Sequence, residues 1–322
     1  MTTARLFWEQ HACLPLTLEA NVGDILRYRR PGGAYVSVNV GYAPHTKEMS
    51  LGFLETFRRD VEAHPDLELA GTVAEIDAAH AAGKIVVAFD LEDSRPVDDD
   101  LDMVQTFYDL GVRSLLPSYN NANSAGCGCL DAQDTGLTAY GRELIRTMTQ
   151  VGMMADGSHC SIRTGLDISA IAGEACKPMI YSHSAMRGLY DHPRNVTDEQ
   201  ARQCAATSGV IGIPGIGIFL GENTATIEAY VDHIDYAVQL VGPEHVGIGS
   251  DYSFDAEDAQ ADLEANPDLF PEEYTRWGVI QFIDPETTLT VEQALLDRGY
   301  SDSDVRGILG GNFRRVARAV WF

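Results

Sequence analysis

What most limits the fold of this chain is a rhythm: short β-rich apolar runs alternate with longer stretches of helical period. Eight runs read as strands: "RLFWEQH" (5–11), "AYVSVNVG" (34–41), "KIVVAFDLE" (84–92), "RSLLPSY" (113–119), "GMMADGSH" (152–159), "PMIYSHS" (178–184), "GVIGIPG" (209–215) and "HVGIGSD" (245–251). Between them, residues 50–64, 99–111, 138–152, 197–209 and 226–242 read as helices. Thr197 followed by Gln200 spells a capping box, and Gly209 and Gly242 mark helix ends. Eight strands each followed by helical sequence predict an α/β fold, a (β/α)8 TIM barrel. An open doubly wound sheet is the competitor, but "GIPGIGIFLG" (212–221) does not spell its phosphate-binding glycine turn. The barrel is expected to fill residues 1–322 as a single domain, with a helical C-terminal extension from about 285. In that tail, "GYSDSDVRGILGGNFRRVARAVWF" reads as two short helices split by Gly310 and Gly311, covering the barrel's flank.

The polar residues that close these runs carry the chemistry. His11 ends the first with Cys13 just beyond, Glu92 ends the third, and Tyr119 the fourth; His159, His183 and Asp251 close later ones. In a barrel, strand ends converge on one face, where catalytic residues belong. Glu92 follows "IVVAFDL", and a carboxylate at the end of a buried strand must be paired or bound to a metal. Two imidazoles and a carboxylate make a metal site with an open position, so His159, His183 and Glu92 form one candidate set. His11, with Cys13, forms a second that shares Glu92. Zn²⁺ suits these donors best, as one or two ions, with other divalent first-row metals as alternatives. Such a centre activates water and polarises the bond under attack. His45, His64, His80, His192, His233 and His245 lie in loops or helical stretches and are read as ordinary residues. Cys127 and Cys129 of "GCGCL" (126–130) lack ligand partners at suitable spacing and are read as loop residues bordering the pocket.

Charge narrows the partners. With 23 basic against 48 acidic residues the net charge is −25, which argues against nucleic acid or an anionic membrane surface. No opening segment has the pattern of a secretory signal, and the six cysteines are too few for a disulfide scaffold, so a cytoplasmic protein with reduced thiols is expected. The partner is then a small molecule.

Several long blocks stand out: "FYDLGVRSLLPSYNNAN" (107–123), "GLTAYGRELIRTMTQVGMMADGSHCS" (136–161), "KPMIYSHSAMRGLYDHPRNVTDEQ" (177–200), "VGIGSDYSF" (246–254) and "GILGGNFRRV" (307–316). Together they resemble the membrane (renal) dipeptidase family of binuclear zinc peptidases, which have amidohydrolase-like barrels. The resemblance implies that the family's opening His-x-Asp falls on His11 and Cys13, its bridging glutamate on Glu92 and its second-metal histidines on His159 and His183. It implies further that Arg194 grips the substrate carboxylate, that Asp251 handles the proton of the leaving amine, and that Tyr119 stands where a histidine steadies the oxyanion. The aspartate and that histidine are therefore replaced. The implied activity is hydrolysis of an amide in a dipeptide or similar small carboxylate-bearing substrate, by a homo-oligomer. The alternative is a pathway-specific enzyme with an altered, mononuclear metal site that acts on a modified amino acid. A binding protein with degraded catalysis is the third reading, and retention of Glu92, Asp251 and Arg194 together counts against it.

Overall fold

Alternation along the central runs decides which side chains fill the barrel. In a computed structural model that describes residues 5–321, the strands are β1 (Phe7–Cys13), β2 (Ala34–Tyr42), β3 (Leu67–Leu69), β4 (Ile85–Glu92) and β5 (Val112–Leu115). They continue as β6 (Met154–Ala155), β7 (Ile180–Tyr181), β8 (Val210–Ile213), β9 (Val246–Ile248) and β10 (Tyr252–Ser253). Residues 1–4 and Phe322, which the sequence assigns to the domain and its tail, lie outside the described residues.

The pairing order is β6-β5-β4-β2-β1-β9-β8-β7, with parallel ladders throughout. A parallel bridge between Asp156 and Ile180 joins the two ends and closes the (β/α)8 barrel. Each of the eight expected runs supplies one barrel strand. Two short strands were not expected: β3 adds to β4 and β10 adds to β1.

Trp8, Tyr35, Val86, Ala88, Met154, Ile180 and Val210 form one buried cluster drawn from strands all round the ring, so they line the lumen. Val36, Val38, Val87, Phe89 and Leu91 belong to the other cluster, between sheet and helices. Period two along β4 then carries the inward face from Val86 and Ala88 to Asp90 and Glu92. On β1 the phase changes: Trp8 is a lumen residue while Ala12, of the same parity, packs outside, and the register to β2 shifts between Glu9 and Ala12. A bulge re-aims side chains in this way.

The C-terminal tail plugs the lower end of the lumen instead of lying on the flank. Phe313, Val316, Ala317, Val320 and Trp321, from the helix Asn312–Val320 and its end, join the lumen cluster. The room comes from Gly247, where a Cβ would stand 2.5 Å from the Phe313 ring. The expected split occurs as a π-turn over Gly307–Gly311 between Asp302–Arg306 and Asn312–Val320. The capping box of Thr197 and Gln200 is present on Asp198–Ala206, but Ser208, at φ 65°, makes the exit turn that was assigned to Gly209. Among the described residues no helix is long and apolar enough to cross a membrane.

Glu9 is fully buried on β1. Its Oε1 accepts from the Ser250 amide at 2.6 Å and the His11 amide at 3.3 Å, while Oε2 has no partner among the described residues. Burial pushes its carboxyl up to about 7 from an ordinary 4.5. The folded state therefore holds a proton that the unfolded chain releases, and stability falls as pH rises from 4.5 to 7. Glu9→Gln is expected to remove that loss, making the variant more stable than the parent by about 2–3 kcal/mol more at pH 8 than at pH 5. Urea unfolding of the two metal-free proteins at both pH values measures it, and curves offset equally at the two would refute it.

Candidate active site

The site lies at the C-terminal ends of the strands, but most of its residues are past the strands themselves. Only His11, Cys13 and Glu92 are on strands; Tyr119, His159, His183 and Asp251 follow β5, β6, β7 and β9 in the loops. Those runs end early because the chain turns sharply after them. Asn120, His159 and Asp251 have φ of 57°, 62° and 55°, left-handed backbone that a strand cannot contain. Non-glycine residues held there are strained, which is characteristic of functional turns.

Four of the sequence-predicted ligands meet at one atom. Oε1 of Glu92 lies 3.3 Å from Nε2 of His11, 3.2 Å from Nε2 of His159 and 3.0 Å from Nε2 of His183. The Nε2 atoms of His159 and His183 are 3.0 Å apart, and the His11 ring stacks on His183 with centroids at 4.0 Å. The other carboxylate oxygen of Glu92 accepts from Asn39 at 2.5 Å, which fixes the rotamer. Beside this set, Cys13 Sγ stands 3.5 Å from His11 Nε2 and 3.8 Å from Asp251 Oδ1, so His11, Cys13 and Asp251 form a second cluster of donor atoms.

Each imidazole is also held from behind. Nδ1 of His11 faces Asp90 Oδ1 at 3.0 Å, Nδ1 of His159 faces Asn120 Oδ1 at 2.8 Å, and Nδ1 of His183 faces Ser182 Oγ at 2.7 Å. At His159 and His183 the acceptor at Nδ1 puts the proton there and leaves Nε2 with a bare lone pair, the usual arrangement of metal-ligating histidines, while His11 makes an ion-pair contact with Asp90. Asp90 is in turn fixed by Ser37 Oγ at 2.6 Å. Ser182 is tied to Asp156 through both its hydroxyl and its amide.

Charge in the site is poorly compensated by protein alone. Burial holds His159 and His183 well below the ordinary histidine range, with Arg194 and His11 adding to the effect. Burial also disfavours charge on His11, but the carboxylates of Asp90 and Glu92 outweigh it and hold that imidazole well above its usual value. The carboxyls of Glu92 and Asp251 are raised by burial. The Cys13 thiol is pushed up to about 12 by burial, and a cation at the site would reverse that direction. Three convergent imidazole nitrogens and a shared carboxylate, each braced by an outer partner, fit a divalent metal.

Above the cluster opens a cavity of about 440 Å³. Cys13, Asn39, Glu92, His159 and Asp251 form its polar floor, with Tyr119 in its wall. Leu14, Leu16, Ile216, Ile218, Phe219 and Phe282 make much of the rest apolar. The Tyr119 ring stacks on His159 with centroids 3.9 Å apart and meets Phe270 edge-on.

Arg194 is buried outside this cavity. Its terminal nitrogens donate to Ser184 Oγ at 2.8 Å and to the His183 carbonyl at 2.7 Å, and its Nε has no partner among the described residues. It lines a smaller neighbouring cavity of about 200 Å³, with His159 forming part of both walls. Cys129 borders that smaller cavity, and its thiol faces Asn120 Oδ1 at 3.4 Å.

Several residues here escaped the sequence reading. His45 lines the larger cavity. Asp90 could have been found as the inward residue two before Glu92 on one strand; Asn120 gave no signal because its partners are far away in the chain, and Ser182 none because its hold on His183 depends on Asp156. The segment 255–283, which carries the helix Ala256–Ala265, roofs the larger cavity with Leu263, Phe270, Tyr274 and Ile280.

Comparisons agree with this picture. The family model for membrane dipeptidase, peptidase family M19, matches residues 26–321. Dipeptidase 3 of Rattus norvegicus is 27% identical over 282 residues, covering 84% of this chain and 52% of its own. The chain spans about half the length of the first curated relatives it matches. Among solved structures, an amidohydrolase from Pseudomonas aeruginosa superposes with TM-score 0.84 at 26% identity, covering 98% of this chain and 97% of that one. A metallo peptidase from Rhodobacter sphaeroides, liganded with a phosphinate mimic of the dipeptide L-Ala-D-Ala, superposes with TM-score 0.78 at 20% identity, covering 99% and 100%, and shows a shared fold.

Proposed function

The chain belongs to the membrane dipeptidase family, peptidase family M19, and on that premise we propose that it is a divalent-metal hydrolase that cleaves the amide bond of a dipeptide or similar small substrate. The observation that carries the reading is the meeting of three imidazole Nε2 atoms at one carboxylate oxygen, with every Nδ1 braced. Glu92, His159 and His183 would hold one ion and His11, Cys13 and Asp251 a second, with Glu92 shared; Zn²⁺ is the ion these nitrogen, sulfur and oxygen donors favour. When bound, the ions supply Lewis acidity toward the amide carbonyl and acidify the attacking water.

The rest of the work belongs to the protein. Glu92, held by Asn39, accepts the water proton. Asp251 relays that proton from Glu92 to the leaving nitrogen, so both carboxylates end as they began. The phenol of Tyr119 donates a hydrogen bond to the oxyanion, a neutral donor in a half-dry site. The substrate side chain occupies the larger, apolar cavity, and its carboxylate reaches the smaller one, where the guanidinium of Arg194 supplies the charge. A cytoplasmic setting and homo-oligomeric assembly belong to the same proposal, supported by six free thiols and by the family.

Metal analysis and a panel of L-L and L-D dipeptides test the reading. Turnover of a dipeptide by zinc-replete protein, lost on chelation, is expected; no turnover of any would reject it. Cys13 supplies a separate check. Cobalt-substituted protein is expected to show a sulfur-to-metal charge-transfer band in the near ultraviolet, absent from Cys13→Ser. Two equivalents of cobalt without that band would leave the thiol outside the coordination sphere, and one equivalent would favour the mononuclear reading.

A further inference from the structure

Asn120 touches both the metal cluster and the roof of the cavity. It is fully buried, with left-handed backbone at φ 57°. Its Oδ1 accepts from His159 Nδ1 at 2.8 Å and from the Tyr274 hydroxyl at 3.1 Å, and its Nδ2 donates to the Leu269 carbonyl at 3.0 Å. Reversing the amide would aim NH₂ at these two donors and at the Cys129 thiol, 3.4 Å from Oδ1, and oxygen at a carbonyl, so these contacts fix its orientation. Leu269 and Tyr274 belong to the roof, which is pinned again by Asn121 Nδ2 on the Asp268 carbonyl at 2.8 Å. Phe270 and Tyr274 from the same stretch line the larger cavity. The other two imidazoles are braced from the barrel, by Asp90 on β4 and by Ser182 beside His183. His159 alone among the three is braced by a residue that also holds the roof.

We propose that Asn120 is a positioning residue that couples the seating of the roof segment 266–276 to the orientation of His159. The coupling rests on the reading of His159 as a metal ligand. A substrate packing against Phe270 and Tyr274 keeps the roof down, the Asn120 amide stays in place, and His159 Nε2 stays aimed at Glu92. Linkage makes the effect mutual: an ion fixed by His159 holds the amide, and through it the roof. The site is thereby complete only when the roof excludes water from it.

Two substitutions separate the halves of the amide. Asn120→Asp keeps an acceptor for His159 and Tyr274 but sets oxygen against the Leu269 carbonyl. Asn120→Gly accepts the left-handed backbone and removes both halves. The readouts, on the full chain, are zinc release to a chelator and amide exchange of residues 267–276, several of which are protected by local bonds such as Phe270 N–H to Asn266 O at 3.1 Å. Zinc is expected to slow that exchange in the parent by about tenfold. Asn120→Asp should release zinc within about threefold of the parent rate, yet exchange its roof about tenfold faster and raise KM more than it lowers kcat. Asn120→Gly should release zinc about 10–100-fold faster, and zinc should no longer slow roof exchange.

Parent roof exchange that ignores zinc, or Asn120→Asp exchange equal to the parent's, overturns the coupling. The exchange readout needs no turnover. Protein that binds zinc and shows the coupling but cleaves no dipeptide therefore rejects the functional reading and supports this one.

Discussion

Glu92→Gln is expected to lower kcat/KM by about 10³-fold and to strip the protein of most of its divalent metal. The carboxylate lies within 3.3 Å of three imidazole nitrogens, so in the proposed arrangement its charge serves both ion positions. Glutamine fits the same space but cannot satisfy it. With NH₂ toward Asn39 it sets donor against donor across a 2.5 Å contact, and with NH₂ toward the histidines it sets a donor among lone pairs meant for a cation. Fold loss is not the expected cause, because β4 keeps its ladders to β2 and β5. Metal analysis beside steady-state kinetics decides the matter. Full metal content with more than a tenth of the parent's activity would sink both the shared-ligand role and the proton-acceptor role.

Asp251→Asn is the second large effect, expected at about 10²–10⁴-fold in kcat. The residue is in left-handed backbone at φ 55°, a region asparagine tolerates as well as aspartate, so the exchange is nearly silent for the chain path. The Asp251 amide bond to the His11 carbonyl at 3.0 Å also survives. What changes is the ability to deliver a proton and the charge beside Cys13. The ion at Glu92, His159 and His183 should remain, which distinguishes this variant from Glu92→Gln. Parent-like turnover with metal retained would remove Asp251 from the proton path.

The barrel was legible because its signal is repetitive: eight apolar runs had to fail together for the fold to be misread. Glu92 was legible for a similar reason, since period two along β4 leaves its aim no freedom. His159 and His183 were found by their place after buried runs, although both stand in loops beyond strands of only two residues. Arg194 came from resemblance alone. Its burial behind His183, and its opening onto a second cavity, depend on packing that no local pattern encodes. The tail illustrates the same limit. Its amphipathic helix was visible, but whether it would lie on the flank or enter the lumen turned on the missing Cβ of Gly247. Asn120 looked like one more polar residue in "YNNAN", because its partners at 159, 269 and 274 are remote in sequence.

β6 and β7 are the shortest barrel strands, and the ladder between them is a single bridge, Asp156 to Ile180, strengthened by the Asp156 carboxylate reaching across to the Ser182 amide at 3.0 Å. His159 leaves the sheet on one side of that seam and His183 on the other, with their Nε2 atoms 3.0 Å apart. An ion held between them would rivet one of the two single-pair joints of the ring. Its binding free energy counts toward keeping the barrel shut. On the proposed reading, a chelator would act as a mild denaturant and added divalent metal as a preservative.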